Sequence, residues 1–185
     1  MRAAGDTLCR YRTDADGHLV FVDAGWRAFA LANDAAEYAA PQGLYGRALL
    51  SFISEPTTRY IYSVLMQRVV NHHTIVLLPF RCDAPDERRW FELRMTPHEG
   101  GIEFATRVLS TQPRTALIPA AAVGQRDAML RMCSWCKDVE LAPGHWGSLE
   151  EAVTRFGLFR DTDPPSVTHG ICQSCVGLFE RDPRR

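Results

Sequence analysis

Four of the six cysteines in the chain fall into two pairs of identical spacing: Cys133-Ser134-Trp135-Cys136 and, 35 residues later, Cys172-Gln173-Ser174-Cys175. A C-x-x-C loop can turn both of its sulfurs toward one centre. Two such loops supply the four thiolates of a closed tetrahedral site, the usual arrangement for structural zinc. The spacing therefore assigns Cys133, Cys136, Cys172 and Cys175 as ligands of one Zn2+ ion. The insert between the pairs exceeds the roughly 15–20 residues of common paired modules, so a capped helix and loops are expected to fill it. His169 lies three residues before Cys172 and is an alternative ligand, with a structural role as its simpler reading. His145, in a turn, is a weaker alternative. Trp135 and Trp146 are expected to form an apolar plug beside the ion.

A second chemistry is open to the same residues. C-x-x-C thiols can carry a lowered pKa and act as a dithiol–disulfide switch, and a zinc site that oxidises and releases its metal would combine the two. No βαβ pattern is legible around Cys133, which weighs against a thioredoxin-like enzyme. Covalent c-type haem is disfavoured because Lys137 and Val176, not histidines, follow the two pairs.

Elsewhere the chemistry is sparse. His72 and His73 invite a haem hypothesis, but adjacent histidines ending a helix suit its dipole and are usually solvated. Cys9 and Cys82 read as isolated small apolar residues. Arg81-Cys82-Asp83 with Arg88-Arg89 reads as a salt-bridged surface near a hairpin. No Ser/His/Asp order, phosphate loop or paired-carboxylate site stands out, so a non-enzyme is expected. Net charge is −1, and from residue 129 onward seven Lys and Arg face eight Asp and Glu. A duplex-binding surface needs clustered positive charge, so nucleic acid is not an expected partner. No apolar run is long enough for a bilayer. MRAAGDTL carries no apolar core of a secretory signal. A reducing cytoplasm is thus the expected compartment, where paired cysteines bind metal more often than they form structural disulfides.

The elements that must position these residues follow from patterning. With 46% hydrophobic and 23% charged residues in 185, the chain has room for one ordinary domain and a small appendage. Leu8 to Thr13 and His18 to Val22 read as strands joined by Asp14-Ala15-Asp16-Gly17, whose Asp-Gly step tolerates the positive φ of a tight turn. Gly25 to Asn33 predicts a helix with Trp26, Phe29 and Ala30 inward. Ala39 to Leu50 is irregular. Ser54 is placed to cap a longer helix with Pro56 in its first turn. Ile61, Val64, Leu65 and Val69 give that helix a buried stripe, and Asn71-His72-His73 ends it. Thr74 to Phe80 reads as a well-buried strand. Phe91, Leu93 and Met95, then Ile102, Phe104 and Val108, alternate with polar residues, as in an antiparallel sheet covered on one side.

Thr111 to Ala122, with Pro113 and Pro119, reads as a linker, and Val123 to Met132 as a short helix entering the first cysteine pair. Ser148-Leu149-Glu150-Glu151 fits a capping box for a helix from Leu149 to Phe156, with Gly157 as its stop. Val176 to Arg181 is read as a terminal helical turn or two.

The order of two strands, helices and three strands over Leu8 to Ser110 resembles a PAS domain. The pieces Val22-Asp23-Ala24-Gly25-Trp26-Arg27-Ala28-Phe29-Ala30 and Leu44-Tyr45-Gly46-Arg47 add to the likeness. The tail, with Met132 to Lys137, Trp146 and Thr168-His169-Gly170-Ile171-Cys172-Gln173-Ser174-Cys175, is similar to a cysteine-rich extension found behind PAS and receiver domains of bacterial signalling proteins. The resemblance implies an α+β fold: a five-stranded antiparallel PAS-like sheet with helices on one face, plus a small zinc-stabilised C-terminal module. The division expected is 1–110 PAS-like, 111–128 linker and connecting helix, and 129–185 the zinc module. It also implies a cytoplasmic sensor or adaptor in signal transduction. Such a protein would have a pocket for a small-molecule ligand of unnamed identity (haem and flavin both open), a protein partner, and a homodimer formed through Val123 to Met132.

Overall fold

The computed structural model describes residues 7–84, 86–113, 129–158 and 166–180. Their contacts separate into two units, one holding residues 7–84 and 88–112, the other built on residues 129–158 and 166–180.

In the first unit β1 (Thr7–Thr13) and β2 (Leu19–Val22) form an antiparallel hairpin. The Asp14 carboxylate accepts the backbone N–H groups of Asp16 (3.0 Å) and His18 (2.8 Å), and Gly17 takes φ +82°. The expected Asp-Gly turn is therefore present, and Asp14, Asp16 and His18 are gathered by its hydrogen bonds. Asp23 caps α1 (Ala24–Ala32) by accepting the Trp26 N–H at 2.9 Å. Three short 3-10 turns follow, at Ala36–Tyr38, Pro41–Gly43 and Leu49–Phe52.

Helix α2 runs from Pro56 to His72. Glu55, not Ser54, is its cap: two carboxylate oxygens reach two amides, Thr57 N–H at 2.8 Å and Thr58 N–H at 2.6 Å, where a serine hydroxyl would satisfy one. Ile61, Leu65 and Val69 are buried as the spacing requires. Val64 departs from the expected stripe, being 43% exposed. His73 closes the helix in the left-handed region at φ +51°.

β3 (Val76–Arg81), β4 (Glu87–His98) and β5 (Gly101–Pro113) complete a five-stranded antiparallel sheet in the order β2-β1-β5-β4-β3. Strands β4 and β5 are longer than expected and meet at Glu99-Gly100, both at positive φ, the signature of a two-residue hairpin turn. The Thr74 to Phe80 run is not buried throughout: Val76 and Leu78 face inward while Leu77 is half exposed. Gly101 lies so close to β1 that a Cβ there would collide with the Thr13 carbonyl. One face of the sheet buries Tyr11, Phe91, Leu93, Met95, Ile102 and Phe104. Residues alternating with these carry the ion pairs Arg12–Glu103 and Arg107–Glu92, each at 2.8 Å. The Arg81–Asp83 pair, expected at the surface, is instead buried, with side chains 8% and 14% exposed.

The second unit holds a mixed four-stranded sheet that patterning did not reveal. Its strands are β6 (Leu130–Cys133), β7 (Val139–Ala142), β8 (His145–Gly147) and β9 (Val167–Gly170), in the order β8-β7-β6-β9. β7 is antiparallel to β6 and β8, whereas β9 is parallel to β6. Residues 130–132, read as the end of a helix, are thus strand; 123–128 lie outside the described residues, and with them most of the segment expected to pair homodimers. Helix α3 (Leu149–Phe156) begins at Ser148, whose hydroxyl accepts the Glu151 N–H at 3.1 Å, and stops at Gly157 with φ +61°, both as the capping pattern requires. Helix α4 spans Gln173–Glu180. Leu130, Val139, Leu141 and Ala152 form this unit's core, with Met132, Leu149, Phe156 and Leu158 packed against it.

Candidate functional site

The parallel pairing of β6 with β9 brings the two cysteine pairs together. Its register sets Met132 opposite His169 and Cys133 opposite Gly170. Each C-x-x-C loop therefore leaves the same end of the sheet, from adjacent strands. Backbone hydrogen bonds continue the register beyond the strands: Ser134 N–H donates to the Gly170 carbonyl at 2.8 Å, and Cys172 N–H to the Cys133 sulfur at 3.4 Å. The first loop folds back tightly. Cys133 N–H donates to the Asp138 carbonyl at 2.7 Å, Lys137 N–H to the Cys133 carbonyl at 3.0 Å, and Lys137 takes φ +64°. The second loop is the start of α4, where Val176 N–H donates to the Cys172 carbonyl at 3.0 Å. The partial positive charge of a helix N-terminus favours thiolate there.

The four sulfurs lie within 4.8 Å of one another. None of the six cysteines forms a disulfide, so neither pair is joined. Sulfurs of Cys136 and Cys172 are 3.7 Å apart. With metal–sulfur bonds of about 2.3 Å, tetrahedral geometry requires sulfur–sulfur edges of about 3.8 Å. The spacing thus fits four thiolates around one cation. Cys133, Cys172 and Cys175 are buried, and Cys136 is half-buried. Trp135 is buried beside them, its ring edge-on to Phe179 of α4 at 5.1 Å.

A cation would also suit the electrostatics within the group. Cys133 is held far below the ordinary thiol range by hydrogen bonds from Cys136, then Cys175, against the opposing effect of burial. Cys136 and Cys175 are pushed far above it, first of all by Cys133. Sulfurs this close cannot all ionise against one another in a buried site. A divalent cation removes that conflict and deprotonates thiol ligands outright.

The other expected residues fall elsewhere. His169 is exposed on β9 and His145 is exposed on β8; neither belongs to the sulfur group. Trp146 stacks under the Arg131 guanidinium at 5.6 Å instead of plugging the cluster with Trp135.

The first unit holds a separate cavity of about 320 Å³ between α1, α2 and the apolar sheet face. Its walls include Trp26, Phe29, Phe52, Phe80 and Phe91, and Cys9 and Cys82 reach it. Tyr11 and Tyr62 hydrogen-bond each other through their hydroxyls at this cavity, and burial raises both phenol pKa values, that of Tyr62 to about 12. His72 and His73 do not line it.

No protein-family model, curated protein or solved structure matches the chain. Its site is read on geometry alone. A pocket in the first unit was expected from the sequence, but none of its lining residues was named, since unfilled space has no residue signature. The sequence analysis missed the β6–β9 pairing, which forms between segments 37 residues apart. No described helix is long and apolar enough to cross a membrane.

Proposed function

We propose that the chain is a non-catalytic signalling protein of the reducing cytoplasm. Its first unit is a PAS-like sensor, and its second is an adaptor module pinned by structural zinc. The aromatic cavity carries this reading. It lies between the helices inserted after β2 and the apolar face of a sheet ordered β2-β1-β5-β4-β3, and apolar concave spaces with a few convergent polar groups are the default binding sites of small molecules. Zinc is favoured at the sulfur group by its preference for a closed tetrahedron of thiolates. A signal leaves by protein contact, because the acidic balance of the tail suits neither nucleic acid nor an anionic surface.

The test is a small-molecule screen by thermal shift on the metal-replete chain, run beside Ala30→Leu. Ala30 is buried on α1 and lines the cavity, so the larger side chain occupies ligand space. A ligand that stabilises the wild type and not the variant supports the sensor reading. A screen with no such compound overturns it.

A second reading, a redox sensor, has one observation in its favour: Cys136, the half-exposed sulfur, is 3.7 Å from Cys172. Hydrogen peroxide would take two electrons from these thiolates, forming one disulfide and water while zinc leaves. Mild peroxide with a zinc-sensitive dye decides the matter. Release together with a Cys136–Cys172 disulfide by peptide mapping supports the switch, and retained zinc leaves the tail purely structural.

A further inference from the structure

We infer that the cavity of the first unit takes a small, uncharged aromatic molecule bearing one hydrogen-bonding group, its ring seated among Trp26, Phe29, Phe52 and Phe91 and its polar group on the Tyr11–Tyr62 hydroxyl pair. This rests on the sensor reading above and narrows it to a ligand class.

Charge is the first discriminator. None of the lining residues is Arg, Lys, Asp, Glu or His. The Arg89 guanidinium borders the lining but is already engaged, bonded to the Asn33 side chain at 3.2 Å and the Cys82 carbonyl at 2.8 Å. An ionised ligand would therefore shed its hydration against walls whose own residues carry no charge. Shape and polarisability are the second. Eight of the fifteen lining residues are aromatic, and their arrangement leaves ring faces and edges for stacked or edge-on contacts. Tyr11 already uses both kinds, stacked on Phe104 at 4.6 Å and edge-on to Trp26 at 5.1 Å.

The third discriminator is the polar end. Tyr11 is buried and Tyr62 half-buried; the two are hydrogen-bonded to each other and held protonated far into the alkaline range. They offer neutral hydroxyls at neutral pH, suited to a hydroxyl, carbonyl or ring nitrogen. Thr106, on β5 at the same cavity, adds another hydroxyl. Size is the fourth. A volume of about 320 Å³ holds on the order of a dozen heavy atoms at the packing density of protein interiors. One or two fused rings fill that space.

The test is calorimetric titration of the full, metal-replete chain with four matched probes: naphthol, naphthoate, decalol and naphthalene. Naphthol is expected to bind. Naphthoate, its anionic relative, is expected to bind at least a hundredfold more weakly. Decalol, its saturated relative, should lose a few-fold to tenfold with the ring contacts. Tyr62→Phe should weaken naphthol about fivefold and leave naphthalene unchanged, which separates a lost hydrogen bond from a damaged fold. Ala30→Leu should abolish binding of every probe. Equal affinity for naphthol and naphthoate overturns the ligand class but leaves the sensor reading standing. Silence from all four probes also overturns it, and the sensor reading falls too only if the broad screen finds no ligand.

Discussion

Replacing Cys172 by serine changes one atom, yet it should cost the tail most of its metal affinity. Zinc binding to comparable thiolate sites is worth about 10–16 kcal/mol. Shared over four sulfurs this is about 2.5–4 kcal/mol each, or about two to three orders of magnitude in dissociation constant. Position decides whether that loss is realised. Cys172 is 3% exposed, so water cannot readily take the vacated coordination position. Cys136 is half-buried, and water can reach it. Cys172→Ser and Cys175→Ser should therefore weaken zinc by a hundredfold or more, and Cys136→Ser by less. Competition with a chromophoric chelator measures the ranking. Hydrogen exchange then locates the damage. Amides of β6, β9 and α4 should lose protection when zinc is removed, because among the described residues Leu130, Val139 and Leu141 are the only large aliphatics in that unit's buried core. Amides of β1, β4 and β5 should not change. Wild-type affinity in Cys172→Ser, or a greater loss in Cys136→Ser, would refute the reasoning.

Other outcomes follow from the same geometry. His169→Gln should leave zinc stoichiometry and affinity unchanged in the same competition assay, since the side chain is exposed and outside the sulfur group. Asp83→Ala leaves the Arg81 guanidinium, 8% exposed, without its carboxylate, and should cost about 3–5 kcal/mol; a loss below about 1 kcal/mol in urea unfolding would mean the pair behaves as a surface one. Tyr11 and Tyr62 have folded pKa values raised above the ordinary 10.0, that of Tyr62 to about 12. Their contribution to stability is complete below pH 10 and is lost as pH rises through the folded values, because the unfolded chain releases those protons first. Urea unfolding read beside tyrosinate absorbance should show stability falling over that window, and Tyr11→Phe should flatten the fall.

Much of the first unit was legible because its signals are local. Asp16-Gly17 marks a turn, and Phe91, Leu93 and Met95 alternate over a strand long enough to count. The errors there share one cause: apolar character was read as burial. Val64 and Leu77 are apolar and exposed, because a helix stripe has edges and a one-sided sheet has an outer face. The cap was placed one residue early for a related reason, since Ser54 and Glu55 are both plausible and only geometry shows the carboxylate bridging two amides. In the second unit the four-cysteine group and α3 were legible from cysteine spacing and the Ser148 box. The sheet was not. Its strands have three or four residues each, too few for a period to register. The β6–β9 pair is also parallel and distant in sequence, so no turn signal announces it. The connection from β6 to its parallel neighbour β9 passes through β7, β8 and α3, so it is no simple βαβ unit.

Zinc-edge X-ray absorption of the purified chain, with its metal content, tests the convergence of the two cysteine pairs most directly. The account predicts about one zinc per chain, with four sulfur neighbours at about 2.3 Å and no nitrogen or oxygen in the shell. A metal-free folded tail, a shell containing light atoms, or sulfurs bonded to each other at about 2.05 Å would contradict it.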